Sequence, residues 1–278
     1  MNISRLPRQI YYIIGNEGCE RFSFYGMRNI LTQFLMSSSL LFTATQVVSE
    51  ADRQGAAKEV FHTFVLGVYF FPLLGGGLSD RFLGKYRTIL YLSLVYCAGH
   101  ACLALFENSR TGFFTGLFLI AIGSGGIKPL VSAYVGDQLD QSNKSLGKIV
   151  FDAFYWIINF GSFFASLLMP IFLKQFGASV AFAIPGLLMF IATVIFWIGR
   201  REYVNVPPTP PHSDSFLNVV RSALLERGND GSSRSGFYLA MAGAVIALTC
   251  IVLGFADLGR MLFTDAAPWL GVTLWWCI

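Results

Sequence analysis

Seven runs of about 20 mostly apolar residues, parted by short charged or polar stretches, decide what this chain can become. They cover roughly residues 13–41, 60–79, 87–106, 112–135, 150–172, 180–198 and 237–258, and an eighth begins near Pro268 and runs to Ile278. Each is long enough to cross a bilayer as a helix, and none has the period of two that a membrane barrel strand needs. Composition agrees: 54% of the 278 residues are hydrophobic and 13% charged, against about a quarter charged in soluble domains. The 28 glycines and 27 phenylalanines suit helices packed in lipid. The fold class is therefore an all-α membrane protein.

The positive-inside rule orients it. With the N-terminus in the cytoplasm, the inner segments carry Arg5, Arg8, Arg81, Lys85, Arg87, Lys144, Lys148, Arg200, Arg201, Arg221, Arg227 and Arg234. The outer ones carry only Arg53, Lys58, Arg110, Lys174 and Arg260, so the bias is twelve against five. Residues 1–202 read as a six-helix bundle and 203–236 as a cytoplasmic linker. The linker is proline-rich at its start, with a short amphipathic helix around Phe216, Val220 and Leu224. Residues 237–278 hold one complete and one cut-off further span. Arg5 and Arg8 precede an apolar run, yet that run contains acids and has no small-residue cleavage site, so it stays as the first span. The scattered bases give no nucleic-acid footprint. Cys19, Cys97, Cys102, Cys250 and Cys277 show neither metal spacing nor a disulfide framework and read as apolar fillers.

The stretch GNEGCERFSFYGMRNIL, residues 15–31, puts Glu17, Glu20, Arg21 and Arg28 into the first span. At 100° per residue these four, with Phe24 and Tyr25, fall within an arc of about 140°. A charge in mid-membrane costs about 2.5–3.5 kcal/mol, so this face must look into protein or a water-filled cavity. A structural ion pair is one reading, since Glu17 and Arg21 stand four apart. A relay for protons or substrate is the favoured one, because carboxylates beside bases exchange protons as partners move. Lys128, between a glycine cluster and Pro129 in the fourth span, calls for an acid, and Glu17 or Glu20 is the natural candidate. His62 and Tyr69 stand seven apart in the second span, almost on one face. Asn159 in FYWIINFGS serves equally as helix glue or as a ligand contact.

Together these motifs resemble the proton-dependent oligopeptide transporter family of the major facilitator superfamily. Its first-helix pattern matches at Glu17, Glu20, Arg21, Phe22, Tyr25 and Gly26 and departs at Phe24, where a tyrosine is usual. GGGLSDRFLGKYRTIL looks like the superfamily loop motif, with Gly76, Asp80, Arg81, Gly84 and Lys85 in place. GSGGIKP, GDQ and FYWIINFGS match the fourth- and fifth-helix signatures, so the resemblance covers residues 16 to about 162.

The resemblance implies a six-helix N-terminal bundle whose Glu17, Glu20 and Arg21 couple to protons, with Lys128 as their salt-bridge partner and His62 as a further proton-handling group. It implies that Tyr25, Arg28, Tyr69 and Asn159 contact a di- or tripeptide. No cofactor, no metal and no enzymatic reaction is expected, with protons as the coupling ion. The location implied is the cytoplasmic membrane. A transporter of this kind needs a second bundle, so the chain is expected to be a fragment that cannot transport alone, with a C-terminal half as its missing partner. Residues 237–278 then read either as inserted linker helices or as the start of that half. A facilitator for nitrate or another small solute, or a non-transporting membrane scaffold, are the rival readings; a facilitator need not keep both glutamates, and a scaffold has no need of buried charge.

Overall fold

In lipid every backbone N–H and C=O must find its partner inside the chain, and helices achieve this segment by segment. The computed structural model describes residues 6–42, 49–139, 144–208, 238, 241–249 and 252–253, and all regular structure among them is helical. The chain divides into two units, residues 1–208 and 209–278. In the first, α1 is Arg8–Ser37, α2 Glu50–Leu78, α3 Lys85–Leu105, α4 Arg110–Asp137 and α5 Gly147–Ile198. In the second, residues 241–249 are helical. The amphipathic helix expected near Phe216 and the span expected after Pro268 lie outside the described residues.

α2 and α4 begin ahead of their apolar runs, each started by a serine cap. Ser49 accepts a hydrogen bond from the Asp52 amide at 3.2 Å and so starts α2 at Glu50, well ahead of the apolar run that begins at residue 60. At its other end α2 widens into a π turn over Ser79–Leu83, closed by Gly84 at φ 76°. That left-handed conformation favours glycine, and its amide donates to the Ser79 carbonyl at 2.9 Å. By length and composition α2, α3, α4 and α5 suffice to cross a membrane, whereas α1 does not qualify. Its charges lower its apolarity, and α1 is accommodated by burial against protein.

The 52 residues of α5 would reach about 78 Å as one rod, more than twice the hydrocarbon thickness. The helix breaks at Gly177 (φ 82°, ψ 177°). Along α1, Gly18 faces Ile157 and Gly26 faces Met169, so the first limb climbs with α1. Gly15 faces Ile195, Asn16 donates to the Ala192 carbonyl at 2.9 Å, and Gly26 also meets Pro185, so the second limb descends. The limbs form an antiparallel hairpin, and the two spans expected at 150–172 and 180–198 are joined by a single reversed glycine. With α5 divided at Gly177, the unit therefore holds six helical segments.

Small residues set the helix spacing. α3 and α4 cross through Gly99 and Gly116, where a methyl group at Gly99 would stand 2.8 Å from the Gly116 carbonyl and 2.7 Å from Ile120 Cγ1. α2 meets α4 where Gly75 lies on the Gly126 backbone.

Residues 203–206, expected to belong to the linker, instead finish the bundle. Tyr203 is buried among Phe196, Tyr134 and Tyr86, with ring centroids 5.1, 5.4 and 6.0 Å away. The Gln138 amide group donates to the Val204 carbonyl at 3.0 Å and accepts from the Val204 amide at 2.9 Å, as a neighbouring strand would. Tyr134 donates its hydroxyl to Asn205 at 2.8 Å. Burial raises the Tyr203 phenol above its ordinary range, which keeps the ring neutral in its apolar seat.

Replacing Gly99 by Val should cost about 1–3 kcal/mol through overpacking, read as a lowered unfolding temperature in detergent. Gly55, with nothing within 4 Å of its α-carbon substituent, should accept Ala without loss.

Candidate functional site

The charged face of α1 is buried as its helical phase requires: Glu17 is 2% exposed, Glu20 1% and Arg21 7%. Arg21 Nε donates to Glu17 Oε1 at 2.7 Å and lies 2.8 Å from Glu20 Oε2. One N–H thus serves two carboxylates, and only the Glu17 contact has hydrogen-bond alignment. Glu17 Oε2 and both Glu20 oxygens receive no hydrogen bond among the described residues. The triad carries one net negative charge and lone pairs without donors. Buried lone pairs in that condition are a cost that an incoming donor would relieve.

The first limb of α5 holds the triad from behind. A methyl group at Gly161 would meet the Gly18 carbonyl at 2.9 Å and Arg21 Cβ at 3.4 Å, so this position of FYWIINFGS sets how closely α5 backs the charged face.

Lys128 does not reach the glutamates. Its Nζ lies 3.9 Å from the centroid of the Phe24 ring and 5.6 Å from that of Tyr69. Among the described residues no carboxylate stands within ion-pair distance of it. The salt bridge implied by the resemblance is therefore not formed in this conformation, because an aromatic face, negative at its centre, occupies the position of the expected acid. Arg28 behaves alike, its guanidinium carbon 5.4 Å from the Phe61 centroid.

Of the other expected residues, Tyr25 is half-buried with its ring edge-on to Phe24 at 5.5 Å. His62 is half-buried on α2 with its ring 5.5 Å from that of Phe61. Tyr69 is 71% exposed on the same helix. Asn159 is exposed on the first limb of α5, and its amide donates to the Tyr155 carbonyl of its own helix at 2.8 Å. In the loop motif Asp80 and Arg81 are exposed and Gly76 half-buried, while Gly84 makes the turn. Lys85 pairs with Asp137 at 2.6 Å, tying the start of α3 to the end of α4.

Sequence reasoning passed over His100 and its neighbours. His100 Nε2 is 2.9 Å from Ser23 Oγ, and its ring stacks on Tyr96 at 5.0 Å. Both rings are completely buried. Tyr96 in turn faces Glu20 and Arg21, so a polar seam runs from the triad into the bundle. The signal was an ionisable residue inside the third apolar run, at YCAGH. Phe61 was also missed, since an aromatic in an apolar run carries no mark of the cation it will meet.

Two family models match this chain. One described as the POT family covers residues 86–252, and one described as MFS/sugar transport protein covers residues 3–158. Peptide transporter family 1 of Drosophila melanogaster is 42% identical over 217 residues, which are 73% of this chain and 28% of that protein. Solute carrier family 15 member 2 of Rattus norvegicus is 38% identical over 247 residues, 84% of this chain and 32% of that protein. Among solved structures, the POT family transporter PepTSo is 58% identical with a TM-score of 0.80, covering 93% of this chain and 52% of that one. An auto-inhibited POT family peptide transporter is 56% identical, also with a TM-score of 0.80, covering 97% and 53%. The chain thus spans about a third of the length of these curated relatives and about half of these solved transporters. With both bundle and motifs in place, the chain belongs to the POT family of multi-pass membrane transporters.

Proposed function

We propose that this chain supplies the N-terminal bundle of a proton-coupled symporter for di- and tripeptides in the cytoplasmic membrane, with its N-terminus on the cytoplasmic side. The observation that carries the reading is the triad: two buried carboxylates share one guanidinium N–H and retain oxygens without donors. A proton taken up by Glu17 or Glu20 removes the net negative charge and loosens the hold on Arg21. Conversely, deprotonation restores a site that attracts Lys128 and Arg28. His62 is a secondary proton-handling group on α2. No cofactor takes part; the proton is the coupling ion, and the symporter to which this bundle belongs transports rather than catalyses a reaction.

A peptide zwitterion needs charges of both signs. Arg28 or Lys128 meets its carboxylate, while Tyr25, Tyr69 and Asn159 offer hydrogen bonds to its backbone and tolerate varied side chains. Tyr69 and Asn159 are exposed on α2 and α5, as residues that face a second bundle across a substrate cavity would be. Alternating access follows when that bundle rocks against this one about a site near the midplane. The names of the relatives support peptides as the substrate class.

The test uses the full gene product that carries these residues, reconstituted in liposomes under an inward proton gradient. Labelled di- and tripeptides should accumulate. Glu20→Gln should abolish that accumulation while leaving counterflow exchange intact, and undiminished accumulation by the variant overturns the proposal. In the 278-residue protein, Arg21→Met should cost about 3–5 kcal/mol of stability, because two buried carboxylates lose their partner. Adding Glu20→Gln should recover part of that loss, seen as a raised unfolding temperature in detergent.

A further inference from the structure

Three cations share the polar face described above, and they are held in two different ways. Arg21 is neutralised by carboxylates at 2.7 and 2.8 Å. Lys128 and Arg28 sit on the faces of Phe24 and Phe61. At 3.9 Å from the Phe24 centroid, the Lys128 ammonium is well inside the range over which a ring quadrupole attracts a cation. The ring itself is fixed: Phe24 is 3% exposed, edge-on to Tyr25 at 5.5 Å and packed on Phe64 at 6.4 Å. With no hydroxyl, its π face is the one polar feature it offers.

We infer that Phe24 is the seat of the Lys128 ammonium and competes for it with Glu17 and Glu20, so that this aromatic residue sets how readily the triad takes a proton. The inference rests on the coupling role proposed for the triad. The groups of α1 that face Lys128 electrostatically are Glu20, Arg21, Arg28 and Glu17, and Tyr69 faces it from α2. α3 meets α4 through Gly116 and Gly123, about 120–140° further round that helix.

The charge balance explains the effect. With Lys128 on the ring, the triad keeps its net charge of minus one and attracts a proton. With Lys128 moved onto a glutamate, that charge is cancelled and the proton is held less well. Weakening the seat therefore moves the half-maximal pH of proton-driven uptake to acid, by up to about one unit, the tenfold effect expected of a desolvated cation–π contact.

Two measurements test this. The first treats the purified 278-residue protein in detergent with dicyclohexylcarbodiimide, which converts a buried carboxyl to an O-acylisourea. An amine in ion-pair reach displaces dicyclohexylurea and leaves an amide, so Lys128–Glu17 and Lys128–Glu20 crosslinks, counted by peptide mass spectrometry, report how often Lys128 leaves its seat. Mono-, di- and trifluorophenylalanine at position 24 keep the ring's shape while draining its face of negative potential, which avoids the folding risk of Phe24→Leu. Crosslink yield should rise stepwise along the fluorinated series, rise several-fold in Phe24→Leu and stay at the unsubstituted level in Phe24→Tyr. A flat yield along the fluorinated series overturns the seat. The second measurement follows proton-driven peptide uptake by the full gene product in liposomes, where the half-maximal pH should move to acid along the same series. A graded crosslink yield with an unmoved uptake midpoint overturns the link to coupling. If the unsubstituted gene product takes up no peptide while the crosslink series holds, the transport reading fails and the seat stands.

Discussion

Burying two carboxylates in a membrane helix is tolerable only when something positive is fixed between them, and in this protein that is a single guanidinium N–H. Arg21 Nε lies within 2.8 Å of both Glu17 and Glu20, and the remaining carboxylate oxygens have no donor among the described residues. Paired buried charges seldom stabilise a fold more than apolar side chains of the same volume would. The triad is thus a cost that the rest of the bundle offsets. The offset is visible in how α1 is held: Asn16 bonds to the backbone of the second limb of α5, Gly18 and Gly26 receive side chains of the α5 hairpin, and Ser23 is tied to His100 on α3. Most of the surface that α1 buries is apolar, including Ile10, Ile13, Met27, Ile30 and Leu31 at complete burial. Those contacts keep a helix with five charged residues in place.

Helical phase made the triad legible from the sequence, because spacings of three and four on a period of 3.6 leave no choice of face. Apolar run length located α2, α3, α4 and both limbs of α5 for a similar reason, since bilayer thickness fixes what a span requires. What escaped depended on geometry between helices. The partner of Lys128 was expected to be an acid, because charge alone ranks a glutamate above a phenylalanine. Only the three-dimensional placement of Phe24 one turn beyond Glu20 shows that the ring intervenes. The reversal at Gly177 could not be separated from an ordinary short loop, as hydropathy does not register a single left-handed residue. Residues 203–206 read as linker since Pro207, Pro208 and the polar groups beyond them dominate the local composition. Yet Tyr203 finds an aromatic pocket assembled from three distant helices, and Gln138 supplies the hydrogen bonds that an isolated extended segment lacks.

The site divides by exposure as well as by charge. The groups expected to handle protons on α1 are nearly inaccessible, whereas Tyr69 and Asn159, expected to meet the peptide, lie on exposed faces of α2 and α5. Low dielectric around the triad strengthens each charge's influence on its neighbours. Exposure leaves the Tyr69 side chain open to its surroundings, and the Asn159 amide, though exposed, is bonded to the Tyr155 carbonyl. Lys128 stands at the border, its stem half-buried and its ammonium on a ring that belongs to the buried set. A cation in that position feels both sides. In the proposed function a peptide carboxylate would draw it outward and an ionised glutamate inward, while the Phe24 face holds it between the two. Under that proposal, coupling between proton and substrate needs no long pathway through the bundle, because one side chain with three alternative partners is enough to make the occupancy of one site depend on the other.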